Sequence, residues 1–463
     1  MTKHILRYGT NADKKFIDGE DKFYDLLAIN GNMMAYTPKA LSDFIRLNQM
    51  NNQNGYFIDP ITHGFQHKLS TIKSYSKKEK KQTIKLSIKK LIELYGDPLG
   101  TVIEDEQRPV KAKDFEDHYE SFCEKVIRFQ LDVVKDHADN EGYLKYLGRE
   151  EITENLEPEF VTPPYFYLSE NTYKEWIDVN IKFINKAKEL FPDKKIFAEL
   201  VLSDDIFSSK EMLDKIKESY IEANPDGILI WIDEFKEHEA SLSQLRVFID
   251  LIKAFSKADI KVHNLYGSFL SIILTSFQNE LSFSLDGVGH GLEYGEYRSV
   301  VPVGGGIPIS RYYFYPIHKR LKYKEALAFM RKMNIVPPKK GEEDKKADEY
   351  YSKLCDCKTC HNVIQHNINN FSAYENTEFY EIEIRGVKQR RNYPDQETKK
   401  ICLFHYLNNK NEEFNFAEKK PLQVILKHLK DNFDQYKAYN VIDIENISYL
   451  NNWYQVLKEN EVK

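Results

Sequence analysis

Between residues 55 and 320 short apolar runs, most closed by Gly, Asp, Ser or Pro, alternate with longer segments whose apolar residues recur every three or four positions. The short runs read as buried strands and the longer segments as helices packed on them, which is the rhythm of βα units. Six runs read as strands: Gly55 to Ile58, Pro164 to Leu168, Lys195 to Val201, Gly227 to Ile232, Lys261 to Leu265 and Leu281 to Leu285. An earlier run at Leu26 to Ile29 and a later one after Pro308 bring the set to eight. Helical spacing is clearest over residues 173–190, 210–223 and 241–255. The expected fold class is α/β, a (β/α)8 TIM barrel, with an open doubly wound sheet as the alternative. Residues 68–160 are too long for one crossover and read as a largely helical, basic insertion after the second strand.

The domain reading that follows is a barrel over 1–335, a subdomain over 336–415, and C-terminal helices over 416–463 that pack on the body. At 463 residues the chain exceeds what one ordinary core supports, and its 41% apolar content is enough to build more than one. No segment approaches the roughly 20 uninterrupted apolar residues of a membrane span, so a soluble, cytoplasmic protein without a membrane partner is expected. The net charge of −6 excludes a uniformly basic nucleic-acid binder. Charge is nevertheless uneven: Lys68 to Lys90 is strongly basic, with Glu79 its only acid, and smaller clusters fall at 318–324 and 388–391. Each fits a phosphate-binding surface or a solvated face. Neither G-x-G-x-x-G after an early strand nor G-x-x-x-x-G-K-[ST] occurs, which removes the usual support for dinucleotide or nucleoside-triphosphate binding.

Three of the five cysteines fall within six positions, as Cys355-Asp356-Cys357-Lys358-Thr359-Cys360. Thiolates this close can wrap one Zn²⁺ and leave a fourth tetrahedral position for a residue from elsewhere. His405 is the choice for that position, with Cys402, His361 and His366 as alternatives. Four protein ligands make the Zn²⁺ structural, with no open coordination site.

On a barrel, chemistry belongs at the C-terminal ends of the strands. Asp59, Asp286 and the Asp233-Glu234 pair are expected at such ends, and Glu199 lies within a strand. Two facing carboxylates can divide nucleophilic and proton-transfer work, the logic of glycosidic-bond chemistry. A (β/α)8 glycoside hydrolase therefore stays open, as does a non-catalytic zinc-bearing nucleic-acid-binding subunit.

Three features, in this order, resemble the tRNA-guanine transglycosylases and their paralogs that insert 7-deazaguanines into DNA. They are Asp59-Pro60-Ile61-Thr62-His63-Gly64-Phe65-Gln66, the run Ser284-Leu285-Asp286, and Cys355, Cys357 and Cys360 with the distant His405. The resemblance covers roughly residues 50–415 and is that of a divergent paralog: Asp226 to Glu234 stands where the family has a Gly-rich strand. It implies exchange of guanine for a 7-deazaguanine base in a nucleic acid, DNA ahead of tRNA, without a redox cofactor. It further implies Asp286 as nucleophile and Asp59 as the base that moves the proton. Glu199, Asp233 and Glu234 would read the donors of the incoming base, with Gly64, Phe65, Gln66, Tyr266, Gly267 and His290 as further substrate contacts. Tyr165, Trp231 or Tyr266 would stack on it. A homodimer or partner proteins are left open.

Overall fold

A computed structural model of the protein describes residues 3–9, 23–52, 54–76, 80–137, 156–292, 311–335, 343–367, 370, 378–384, 386–393, 395–439 and 447–462. They fall into two compact units. The first comprises 1–235, 247–267 and 283–303, and the second 236–246, 268–282 and 304–463.

The first unit is mixed α/β. Its strands are β1 Lys3–Tyr8, β2 Leu26–Asn30, β3 Gly55–Asp59, β4 Lys73–Ser76, β5 Lys81–Ile84, β6 Phe197–Leu202, β7 Gly227–Ile232, β8 Lys261–Asn264 and β9 Gly287–Gly291. Seven of them form one sheet in the order β3-β2-β1-β9-β8-β7-β6, each pair parallel. β6 and β7 are buried at every residue, as a strand covered on both faces must be. Between them, Ser203 and Ser209 accept from the backbone N–H of Ile206 and Met212 and so cap the helices Asp204–Ser208 and Lys210–Ala223.

The strands expected near residues 26, 55, 195, 227 and 261 are present. Three others differ. The run Leu281 to Leu285 is not a strand: Leu281 ends a short helix, Ser282 is left-handed at φ 61°, and the strand begins only at Gly287. The run after Pro308 yields Arg311–Phe314, which lies in the second unit and pairs antiparallel with Lys319–Lys322. The seventh sheet strand is instead β1, which pairs with β2 and β9.

The run Pro164 to Leu168 is extended but makes only isolated bridges, because Pro163 and Pro164 carry no N–H for a ladder. Around it, residues 159–168 bond to both edges of the sheet. Glu159 N–H donates to Tyr56 of β3 (2.8 Å), and Leu168 exchanges bonds with Val201 and Ser203 at β6 (2.9 and 3.0 Å). Side-chain amides replace the missing ladder: Gln130 makes paired bonds to the backbone of Thr162, Asn180 to Phe166 and Gln66 to Tyr167. The insertion begins with the β4–β5 hairpin, followed by the helices Leu86–Tyr95 and Tyr119–His137, so its basic start is a hairpin and not a helix.

The second unit gathers the Arg311–Phe314 hairpin, the helices Glu343–Lys353, Lys358–Ile364, Gln396–Lys419, Leu422–Tyr439 and Ser448–Asn460, and two segments that follow β7 and β8 in the chain. The zinc segment and the C-terminal helices share this unit. Its buried Glu237 carboxylate accepts from Ser268 and Ser271, through both hydroxyls (2.6 Å each) and both backbone N–H groups (3.0 and 3.2 Å), at the start of the helix Phe269–Leu274.

A buried carboxyl pair and a three-cysteine, one-histidine cluster

Strand alternation places the first site. Ile5, Phe57, Phe197 and Leu229 belong to one apolar cluster, and two residues further along their strands come Arg7, Asp59, Glu199 and Trp231. Because side chains repeat every second residue, these four groups share the face of that core, one layer on.

Asp59, the last residue of β3, is buried, and its Oδ1 accepts from Tyr165 O–H (2.6 Å) and Ile61 N–H (2.9 Å). The Tyr165 oxygen in turn lies 2.9 Å from His63 Nδ1. Arg7 Nη2 stands 3.9 Å from Asp59 Oδ2, and its guanidinium lies over the Tyr266 ring at 4.4 Å. Trp231 closes the surround, with its ring 5.1 Å from both His63 and Tyr266.

Glu199 is buried, and among the described residues no donor meets either of its oxygens in hydrogen-bond geometry, although the Tyr165 hydroxyl still favours its charged form; Asp59 Oδ2 likewise has no hydrogen-bond partner among the described residues. Burial, and then the neighbouring Asp59, push Glu199 well above the usual carboxylate range. Burial also raises Asp59, against the pull of Arg7 and the Tyr165 hydrogen bond. The two carboxyls disfavour each other's charged form, and Asp59, which holds the donors and the nearer cation, is the one favoured as carboxylate beside a Glu199 favoured as acid. A buried carboxylate beside a buried carboxylic acid can accept from one ligand atom and donate to another. Thr62 and Gln66 brace the site by bonding the backbone of Tyr165 and Tyr167, and Tyr167 O–H reaches Asp233 (3.1 Å).

Other expected site residues fall elsewhere. Asp286 precedes β9, at the N-terminal end of the sheet, where it bonds Lys3 and Val262 through the backbone and Val262 N–H through its side chain (2.9 Å). Lys3 and Arg7 mark opposite ends of β1, about 13 Å of strand at the usual rise, so Asp286 is not on the rim that carries Asp59. His290 alternates with Gly289 and Gly291 and meets His4 on the other face of the sheet. Gly289 allows the close approach of β8 to β9, since a Cβ there would stand 2.5 Å from the Leu265 carbonyl oxygen, to which Gly267 adds its own bond to Gly289 (2.9 Å). Glu234 is exposed at a left-handed turn residue, Phe65 is buried, and a Cβ on Gly64 would meet open space. The run Gly304-Gly305-Gly306, whose missing side chains suit close approach of a bulky substrate, lies outside the described residues. Arg7 and His63 were not singled out from sequence: Arg7 sits on the overlooked β1, and His63 reads there only as part of a loop motif.

The second site is in the second unit. Cys355, Cys357, Cys360 and His405 are all buried, and their ligand atoms lie within 4.8 Å of one another. Cys357 Sγ and Cys360 Sγ are each 3.3 Å from His405 Nδ1. A tetrahedral Zn²⁺ with ordinary bond lengths needs ligand separations of about 3.6–3.8 Å, so the donor set fits zinc. His405 Nε2 lies 2.8 Å from the Tyr313 carbonyl oxygen, an acceptor that puts the proton on Nε2 and leaves Nδ1 facing the sulfurs. Cys357 starts the helix Lys358–Ile364 and accepts from Cys360 N–H, which curls the three thiols together. Hydrogen bonds from Cys355 and Cys360 hold Cys357 far below the usual thiol pKa, while burial pushes both of those thiols well up. Of the alternative ligands, Cys402 and His361 stand outside the cluster, and His361 pairs with Asp356.

Two turns beyond His405, the buried Glu413 accepts from Lys410 (2.8 Å), His318 (2.6 Å) and Tyr313. Burial raises Glu413, but the Lys410 charge and the His318 hydrogen bond outweigh it and hold the carboxyl at about 2. Glu413→Ala is expected to destabilise the protein by about 3–5 kcal/mol, since it strands the Lys410 charge. The Glu413 contribution is present above the ordinary carboxylate pKa and disappears as pH falls towards about 2. Urea midpoints of wild type and variant should therefore differ at pH 6, with the gap narrowing as pH falls towards about 2; equal midpoints at pH 6 would exclude a stabilising role.

No protein-family model and no curated protein matches the chain.

Proposed function

We propose that the chain is a base-exchange enzyme that replaces guanine in a nucleic acid with a 7-deazaguanine. DNA is placed ahead of tRNA because of the chain's departures from the motifs of the tRNA enzymes. The scaffold in this reading is a (β/α)8 barrel in which residues 159–168, bonded to β3 and β6, take the eighth place. The observation that carries the reading is the buried Asp59–Glu199 pair, three of whose carboxyl oxygens have no partner in hydrogen-bond geometry among the described residues, beside Arg7 and ringed by Tyr165, Trp231 and Tyr266. Aromatic faces suit a flat base, and an acceptor beside a donor suits its edge.

The roles differ from the sequence expectation, because Asp286 lies at the other end of the sheet. Asp59 Oδ2 attacks C1′ as the bond to N9 breaks, and the departing guanine takes the bond's electron pair and the Glu199 proton. The aspartyl ester then holds the abasic sugar. The incoming 7-deazaguanine returns a proton to Glu199, and its N9 attacks C1′, expelling Asp59 as carboxylate. Arg7 favours the ionised form of Asp59 against the effect of burial. Cys355, Cys357, Cys360 and His405 would hold a structural Zn²⁺ that ties the helix Lys358–Ile364 to Gln396–Lys419.

The test is incubation with labelled guanine or labelled 7-deazaguanine and, separately, duplex DNA or bulk tRNA, with counting of the precipitated polymer. Label in DNA is the expected result, and label in tRNA alone moves the substrate to RNA. No label in either polymer overturns base exchange. Hydrolysis of an aryl glycoside that depends on the same two carboxyls would then identify a glycoside hydrolase, the reading that paired carboxyls favour next.

A further inference from the structure

The lysines around the β4–β5 hairpin differ from the rest of the surface. Several basic side chains elsewhere sit on carboxylates: Lys135 and Lys194 on Glu157 (2.8 and 2.6 Å), Arg246 on Glu459 (2.6 Å). Between 68 and 90 the described residues include seven lysines and no acid. Lys73 donates to Gln107, Lys85 to the Thr71 carbonyl and Lys90 to the Tyr36 carbonyl, all neutral acceptors. Lys68, Lys80 and Lys89 are exposed and make no ion pair with any described residue. In a chain of net charge −6, this is a concentration of positive charge in which no described carboxylate pairs with Lys68, Lys80 or Lys89.

Two aromatic rings stand in the same field. Tyr75, on β4 opposite Gln82, is 60% exposed, and Tyr36 is 45% exposed with the Lys90 ammonium 5.7 Å from its ring. Open aromatic faces among unneutralised lysines suit a nucleic acid, whose phosphates take the charge and whose bases take the faces. The patch also adjoins the carboxyl site through the chain. Tyr36 ends the helix Gly31–Tyr36, whose first residue lies so close to Asp59 that a Cβ would stand 3.1 Å from its carbonyl oxygen. Lys68 follows Gln66, the brace of Tyr167, by two residues.

We propose that Lys68, Lys73, Lys80, Lys85, Lys89 and Lys90, with Tyr36 and Tyr75, form a docking surface for the phosphodiester backbone flanking the nucleotide that enters the Asp59–Glu199 site. The proposal rests on the nucleic-acid reading of that site. Its charge term is non-specific in sequence and falls steeply with salt.

The test is fluorescence anisotropy of the full chain with a labelled 30-base-pair duplex and a 30-base single strand across a sodium chloride series. Anionic phospholipid vesicles serve as the comparison polyanion. The variant combines Lys68→Gln, Lys80→Asn and Lys89→Gln, three exposed side chains whose loss breaks no bond in the structure; Asn suits the left-handed φ of 53° at Lys80. Every lysine–phosphate pairing removed should reduce the log–log salt slope by about 0.9, so the triple variant should be shallower by about 2.7 and bind DNA about 100-fold more weakly near 0.15 M salt. Tyr75→Ala should weaken single-strand binding by about tenfold or more. An unchanged salt slope in the triple variant overturns the proposal, and so does wild-type binding to vesicles as tight as to either DNA. DNA binding through these lysines with no base exchange would overturn the site reading alone. Exchange by the triple variant at wild-type KM would overturn the docking surface alone.

Discussion

Asp59→Asn is expected to lower base exchange by about 10⁴-fold or more and to abolish the covalent adduct, while Glu199→Gln lowers exchange by about 10²–10⁴-fold and still forms the adduct slowly. The split follows from what surrounds each carboxyl. Asp59 has two hydrogen-bond donors on Oδ1, Arg7 near Oδ2 and one oxygen left for attack; Glu199 has no donor in hydrogen-bond geometry among the described residues, and burial favours its protonated form. Activity should rise as Asp59 ionises, above the ordinary aspartate range, and fall as Glu199 loses its proton at higher pH still. Glu199→Gln should remove the upper limb. The same shifts act on stability with a defined sign. Both folded-state pKa values are raised, so the folded chain holds a proton that the unfolded chain releases, and stability is lost as pH rises through the folded values. Glu199→Gln is therefore expected to unfold at higher urea than wild type at pH 8, with the gap closing towards pH 4. Wild-type exchange by Asp59→Asn would remove the nucleophile assigned here. Loss of adduct in both variants with an unchanged pH profile would reduce the pair to a binding role.

Why some of this was legible and some not lies in how local each determinant is. β7 is a continuous apolar run because it is buried on both faces, and such a run reads as a strand wherever it occurs. β9 is Gly-Val-Gly-His-Gly: it carries its glycines because β8 comes too close for a Cβ, a tertiary fact that erases the apolar signature. The expected strand therefore slid onto Leu281 to Leu285, and Asp286 moved from the end of a strand to the start of one. That single slip separated the supposed nucleophile from Asp59. β1 was missed with its Arg7, the cation of the site, because Lys3–Tyr8 shows neither a clean alternation nor a long apolar run. Glu199 could be found as a carboxylate inside an apolar strand, a cost in free energy that needs a reason. The split between a favoured carboxylate and a favoured acid needed Asp59 beside it, which only the fold supplies.

The cysteine cluster was legible for the opposite reason, since three of its four donors lie within six residues and the turn between them brings the sulfurs together unaided. Its fourth donor depends on the helix Gln396–Lys419, and there the choice of His405 over Cys402 agrees with the assembled donor set. Removing the ion is expected to have the largest effect on the second unit. Three thiols around one point cannot all ionise without a cation: Cys357 is driven to thiolate only as Cys355 and Cys360 are driven to thiol. A divalent ion allows all three to ionise, and its binding free energy, about 10–16 kcal/mol for sites of this kind, rivals or exceeds the whole stability of an ordinary domain. Purified protein should therefore carry one zinc per chain. Chelation under mild denaturant, or Cys360→Ser, should collapse amide-exchange protection across residues 396–419, while Cys402→Ser retains the zinc. Cys360→Ser with full zinc and unchanged protection would place the ion elsewhere. Loss of zinc without loss of protection would mean that the packing around His405, with the Tyr312 ring stacked on it at 4.3 Å and the Glu413 network two turns on, holds the helix by itself.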